Sequence, residues 1–246
     1  MVALAGNDGR KQLAALLFEP GRRPDSAALA DLAAKGGITV SMQPDPAQGW
    51  AELLRDGLTF DIAGLAPAAP AAAPCVRHRY GLPPDHGADG FEAVSLTPGP
   101  HLAGAEHLLP VVRVATALLL ELAALPGLAA ISWLPAHNLL SPEWFGKSAR
   151  GWLADGPFAA FALTSLAKTG TGGVASEGLR FLIGQEFRLM TEGAAAPASE
   201  MAIAIRLLDW LVAHGRVDAP REVVLAGVGA VWLDVLPEGE IVARCR

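Results

Sequence analysis

The stretch AISWLPAHNLLSPEWF, residues 130–145, decides how the fold is read. A strand-like run ends at Trp133 and passes through a polar corner, Pro135-Ala136-His137-Asn138. The chain restarts at Ser141-Pro142-Glu143-Trp144-Phe145. Serine followed by proline marks a helix start, because the serine oxygen caps free N–H groups and proline fits the first helical position. Two further segments follow, PFAAFALTSL (157–166) and SEGLRFLIGQEFRL (176–189), hinged at Gly170-Thr171-Gly172-Gly173. Read as strands over 158–166 and 179–190, they pair across that turn.

Upstream, the apolar run 11–19 reads as a buried strand. Asp25 or Ser26 caps a helix that continues to Lys35 and stops at Gly36-Gly37. Residues 38–43 alternate as a strand, 50–56 read as a short helix, and 58–65 as a third strand. Residues 66–84 are rich in proline and alanine and read as an exposed connection or loop. Another strand at 91–96 leads to a long, deeply buried helix over 102–125, then a strand at 128–134. Downstream, a helix over 199–214 ends at Gly215. Residues 223–225 form a short strand or turn, and 230–236 and 240–244 a hairpin across Pro237-Glu238-Gly239. Strand pairs alternating with single helices give an α+β fold, a largely antiparallel sheet with helices packed on one face. The chain reads as one compact unit over residues 1–246. It is built either on one merged sheet or on two pseudo-repeated ferredoxin-like (split βαβ) halves at about 1–134 and 135–246.

A hydrophobic content of 52% in 246 residues is ample for a sizeable core. The net charge of −6 and pI near 5.5 argue against a nucleic-acid partner, which calls for a basic face. Cys75 and Cys245 form neither a disulfide framework nor a metal pair, and read as unpaired thiols in a reducing cytoplasm. The first dozen residues lack the charged start and apolar core of a secretory signal. The greasiest stretch, 108–125, carries Arg113 and Glu121, so it reads as a buried helix and not a membrane span.

Gly170-Thr171-Gly172-Gly173-Val174-Ala175 matches a dinucleotide-loop pattern. That loop needs a helix immediately after it, and a hairpin turn explains these glycines better. His101, Glu106 and His107 are spaced so that they do not share a helix face. They read as polar decoration of the first turn of the long helix, with no metal site. His137 and Asn138 sit at a strand end between Trp133 and Trp144, where pockets form. Glu143 would orient His137 as a base. Against that, Asn138 and Glu143 suit backbone capping in a turn and a first helical turn. Glu177 and Glu186, nine apart, fall on opposite faces of a regular strand unless Gly184 bulges. The candidate cleft or interaction residues are therefore Trp133, His137, Asn138, Glu143, Trp144, Glu177 and Glu186, with no cofactor motif and no metal set.

The chain resembles a bacterial family known as domain of unknown function 4261. The matching landmarks are the alternating Phe91-Glu92-Ala93-Val94-Ser95-Leu96, the long apolar helix, Ile131-Ser132-Trp133, and Ser141-Pro142-Glu143-Trp144-Phe145. Ser176-Glu177-Gly178-Leu179 and Gly184-Gln185-Glu186-Phe187 continue them. The resemblance covers about Phe91 to the C-terminus, with a looser fit over the first 65 residues. It implies the α+β fold and brings no activity, catalytic residue or cofactor. The sequence thus points to a non-catalytic cytoplasmic binding or interaction protein, regulatory or immunity-like, with a protein or small-molecule partner. Exposed sheet edges would also allow a homodimer. The alternative is a small-molecule hydrolase using His137 and a nearby carboxylate. Convergence of His137, Glu143 and Glu186 would favour the enzyme, and an apolar patch near Trp144 or Trp152 a partner surface.

Overall fold

The computed structural model describes residues 10–43, 45–83, 87–170, 172–190 and 199–245. The segment read for a secretory signal lies mostly outside these, as do Pro84 and Thr171. Strand β1 (Ala14–Phe18) leads through helix α1 (Ser26–Ala33) to strands β2 (Thr39–Met42), β3 (Trp50–Arg55) and β4 (Leu58–Ala63). After the short strand β5 (His78–Tyr80) come β6 (Glu92–Pro98), helix α2 (Leu109–Leu122), β7 (Leu128–Trp133) and β8 (Asn138–Leu140). Helices α3 (Pro142–Leu153) and α4 (Ala160–Leu163) precede strands β9 (Ser165–Lys168) and β10 (Val174–Glu177). The chain ends with α5 (Leu179–Ile183), β11 (Phe187–Met190), α6 (Glu200–His214), β12 (Arg221–Leu225), β13 (Gly229–Val235) and β14 (Ile241–Cys245).

The strands form two sheets, an α+β arrangement. The first has the order β2-β3-β4-β6-β1-β7-β8-β5 and the second β12-β13-β14-β11-β10-β9. Pairing is antiparallel except between β5 and β8 and between β11 and β14. One hydrophobic cluster runs through both sheets, joining Phe18 and Trp133 of the first to Phe187 and Leu189 of the second, with Leu118 of α2 and Leu207 of α6. Burying each such side chain contributes about 1.5–3 kcal/mol.

β1 is central and buried on both faces, which explains its unbroken apolar sequence. Leu16 and Phe18 enter the main core. Leu17 points the other way, to a smaller cluster with Ala93, Ala130 and Leu139. The proline- and alanine-rich connection covers that second face. Ala71, Val76 and Leu82 pack on it, so the segment is part of the fold and not merely an exposed link.

Several caps match the sequence. Asp25 accepts from Ala28 N at 2.8 Å, Ser141 Oγ from Trp144 N at 3.2 Å and Ser199 Oγ from Ala202 N at 3.2 Å. Four expected elements differ. Residues 50–55 are a strand and not a helix, because Asp56 (φ 47°) and Gly57 (φ 79°) turn tightly and pair β3 with β4. Asp-Gly suits a turn that needs positive φ twice. The long helix starts at Leu109, after a 3-10 turn at Pro100–Leu102 and a reversal at Gly104, where Pro110 falls in the first turn. His101, Glu106 and His107 therefore precede the helix and do not decorate it. Within 158–166, alanine-rich Ala160–Leu163 is a helical turn and only Ser165–Lys168 is strand, since its residues are buried without alternation. Within 179–190, Leu179–Ile183 is helical between two glycines at positive φ, Gly178 and Gly184.

Candidate functional site

The corner after β7 is held by its own polar atoms. Asn138 is fully buried, and its Oδ1 accepts from Trp133 N at 2.8 Å. Its Nδ2 donates to Phe161 O and Ala162 O at 3.3 and 3.2 Å. Each of these three bonds goes to backbone, so Asn138 is a structural pin. His137 sits between, at φ 46°, a left-handed conformation that costs a non-glycine residue about 1–3 kcal/mol. Its carbonyl accepts from Arg77 N and His78 N at 2.8 and 3.1 Å, which docks the start of β5 on the corner.

Glu177, at the end of β10, meets this corner from the second sheet. A Cβ on Gly178 would lie 2.8 Å from the Ala136 backbone, so only glycine lets the strand end approach. Glu177 Oε1 lies 2.6 Å from Arg77 Nη1 and 2.8 Å from His137 Nδ1. Oε2 accepts from His78 Nε2 at 2.6 Å. The His137 contact is close but not aligned for a hydrogen bond, and the buried Nδ1 is otherwise unpartnered among the described residues. It is a close polar contact, ionic only when the imidazole carries a proton. Burial pushes the Glu177 carboxyl up. The His78 hydrogen bond and the charges of Arg77, His137 and His78 outweigh that and hold it below its usual range.

An aromatic group flanks the cluster. Tyr80 lies 5.2 Å from Phe161 and stacks at 24° on Trp144, which is 45% exposed. Tyr80 Oη accepts from Leu166 N at 3.3 Å. Burial raises its phenol above the ordinary range despite hydrogen bonds to Ser165 and Leu166, and Glu177 adds to the rise.

The other sequence candidates disperse. Glu143 is exposed in the first turn of α3. Glu186 accepts from Ser176 Oγ, Gly178 N and Arg180 N at 2.6, 2.8 and 3.0 Å, so it caps the start of α5. Trp133 is fully buried and meets Phe181 edge-on at 6.0 Å. Trp152 is also buried, beneath the Arg113 guanidinium. Of the three carboxylates considered, Glu177 is the one brought to His137. The sequence reading missed Arg77, His78 and Tyr80. The Arg77-His78-Arg79 triplet was their only local signal.

A second feature lies away from this cluster. An open cleft of about 1000 Å³ is formed by the chain leading into α2, by α5 and by the end of α6. Its polar lining is Lys11, Glu106, His107, Arg180, His214 and Arg216. Leu109, Phe181, Ile183 and Val212 supply apolar surface. Arg216 pairs with Asp218 at 3.0 Å, and His214 stacks on Trp210. The side chains of Lys11 and Arg180 have no ion-pair partner among the described residues. No three His, Cys, Asp or Glu side chains among the described residues could together hold a metal ion. No helix of the described residues is long and apolar enough to cross a membrane. No known family model, curated protein or solved structure matches this chain.

Proposed function

We propose that the chain is a non-catalytic binding protein of the cytoplasm, regulatory or immunity-like in role and allied to the family named above. The cleft is its ligand site. One observation carries this: a cleft of about 1000 Å³ combines apolar walls with two cations that have no ion-pair partner among the described residues. That is the usual make-up of a small-molecule pocket, apolar lining with a few polar groups that fix orientation. The test is native mass spectrometry of protein purified under mild conditions, with calorimetry of any ligand recovered. A stoichiometric ligand displaced by Phe181→Trp supports the proposal. A ligand that survives that change sits elsewhere.

Hydrolysis of a small molecule is the second proposal, favoured by the 2.8 Å approach of Glu177 to His137. A base oriented by a carboxylate is the usual arrangement for proton abstraction. Here Glu177 also holds Arg77 and His78, and the His137 contact is misaligned, so binding is preferred. Turnover of chromogenic esters or phosphoesters that disappears in His137→Gln would reverse that preference.

A further inference from the structure

We propose that the cleft takes a small organic anion. Lys11 and Arg180 meet its charged head group, and a compact aryl or branched-alkyl body lies on Phe181 and Val212. This rests on the cleft being the ligand site and goes on to name the ligand's chemistry.

The charge inventory points one way. Lys11, Arg180 and Arg216 face the cleft against one carboxylate, Glu106. Arg216 has its own partner in Asp218, which leaves Lys11 and Arg180 as the cleft cations without an ion-pair partner among the described residues. They lie in a protein whose net charge is −6. A locally positive cleft on an acidic molecule attracts anions to that place and repels them elsewhere. The Arg180 backbone N–H is already bonded to Glu186, so its position is fixed while its guanidinium stays available.

The helix ends do not decide the matter. The start of α2 has no side-chain cap and turns its positive end to the cleft through Leu108 and Leu109, but the end of α6 brings the opposite pole through Val212 to Gly215. The two offset, and the side-chain cations set the sign. The walls set the body. Phe181 is held edge-on against Trp133, giving a fixed aromatic surface. A cleft of this size admits a two- or three-ring molecule or a short peptide-sized acid.

The test uses a pair of fluorescent probes that differ in one group: anilinonaphthalene sulfonate and phenylnaphthylamine, its parent without the sulfonate. The whole folded chain is titrated with each at low and high salt, alongside Lys11→Glu, Arg180→Glu and Lys35→Glu. Lys35 is exposed, away from the cleft lining, and its reversal makes the same change in net charge. The expected result is one sulfonate probe per chain, weakened by salt and weakened roughly tenfold to a hundredfold by Lys11→Glu or Arg180→Glu. Lys35→Glu leaves it unchanged, and the neutral probe binds much less. Equal binding of both probes, untouched by the two reversals, overturns the anion assignment and leaves an apolar ligand site standing. Equal loss in all three variants overturns it too, because the effect is then global charge. Binding of neither probe overturns both the anion assignment and the cleft as ligand site.

Discussion

The Glu177 junction and the cleft both gather basic side chains, and they treat them in opposite ways. At the junction Arg77, His78 and His137 surround one half-buried carboxylate within 2.6–2.8 Å, and it joins the two sheets. In the cleft Lys11 and Arg180 stand beside apolar walls with no ion-pair partner among the described residues. A buried charge must be paired, because desolvation is otherwise costly, so the junction is closed by its own residues. A cation at the rim of an open cleft keeps water and costs little to leave unpaired. Charges that are mutually satisfied serve the fold, and charges left open are available to a ligand.

The sharpest way to break the junction is Gly178→Ala. The new methyl would press on the Ala136 backbone while the residue is held at φ 94°. Strain of that kind, with overpacking, is expected to destabilise the protein by about 3 kcal/mol or more. Urea unfolding followed by tryptophan fluorescence measures it. A loss under about 1 kcal/mol would mean that the two sheets are not locked at this contact.

Glu177→Gln tests the charges while keeping the shape. Removing the carboxylate leaves Arg77 and two histidines facing one another, with an expected cost of roughly 1–3 kcal/mol at neutral pH. The pH dependence has a defined sign. The folded-state carboxyl titrates below its ordinary 4.5, so its stabilisation is complete above that value and is lost as pH falls through the lower folded one. The gap between parent and variant should therefore be widest near neutrality and close in acid. A gap independent of pH would show that Glu177 acts through packing and not through charge.

Much of the fold was legible because its signals are local. The unbroken apolar run of β1, the Ser141-Pro142 start of α3 and the Ser199 cap of α6 each need only their neighbours. The misreadings came where one local signal competed with another. WAELLR fits a helix or a strand, and the Asp56-Gly57 turn decides. The runs holding α4 and α5 are too short for periodicity to separate helix from strand. The junction was half visible. His137 and Glu177 stood out as residues, but their meeting depends on Gly178 reaching Ala136, and His78 lies 99 positions from its carboxylate. Glu186 looks like chemistry in the sequence and in the fold satisfies backbone groups, while Asn138 takes the backbone-capping role that its place in a turn suggests. The cleft is not legible in the sequence because its lining comes from distant segments, and because the local pattern assigns Glu106 and His107 to a helix that starts only after them.

The smallest expected change in stability lies in the cleft, and it is the one that completes the contrast. Arg180→Glu removes a guanidinium that holds no partner among the described residues, so unfolding free energy should stay within about 0.5 kcal/mol of the parent. Any shift should run toward stability for Lys11→Glu, because removing one of several like charges near each other relieves repulsion, and it should shrink with added salt. Parallel urea titrations at low and high salt would read both. If Arg180→Glu instead costs as much as Glu177→Gln, the guanidinium is a structural member like Arg77, and the cleft's cations belong to the fold. A neutral effect on folding combined with lost anion binding is the signature of a charge kept for something outside the chain.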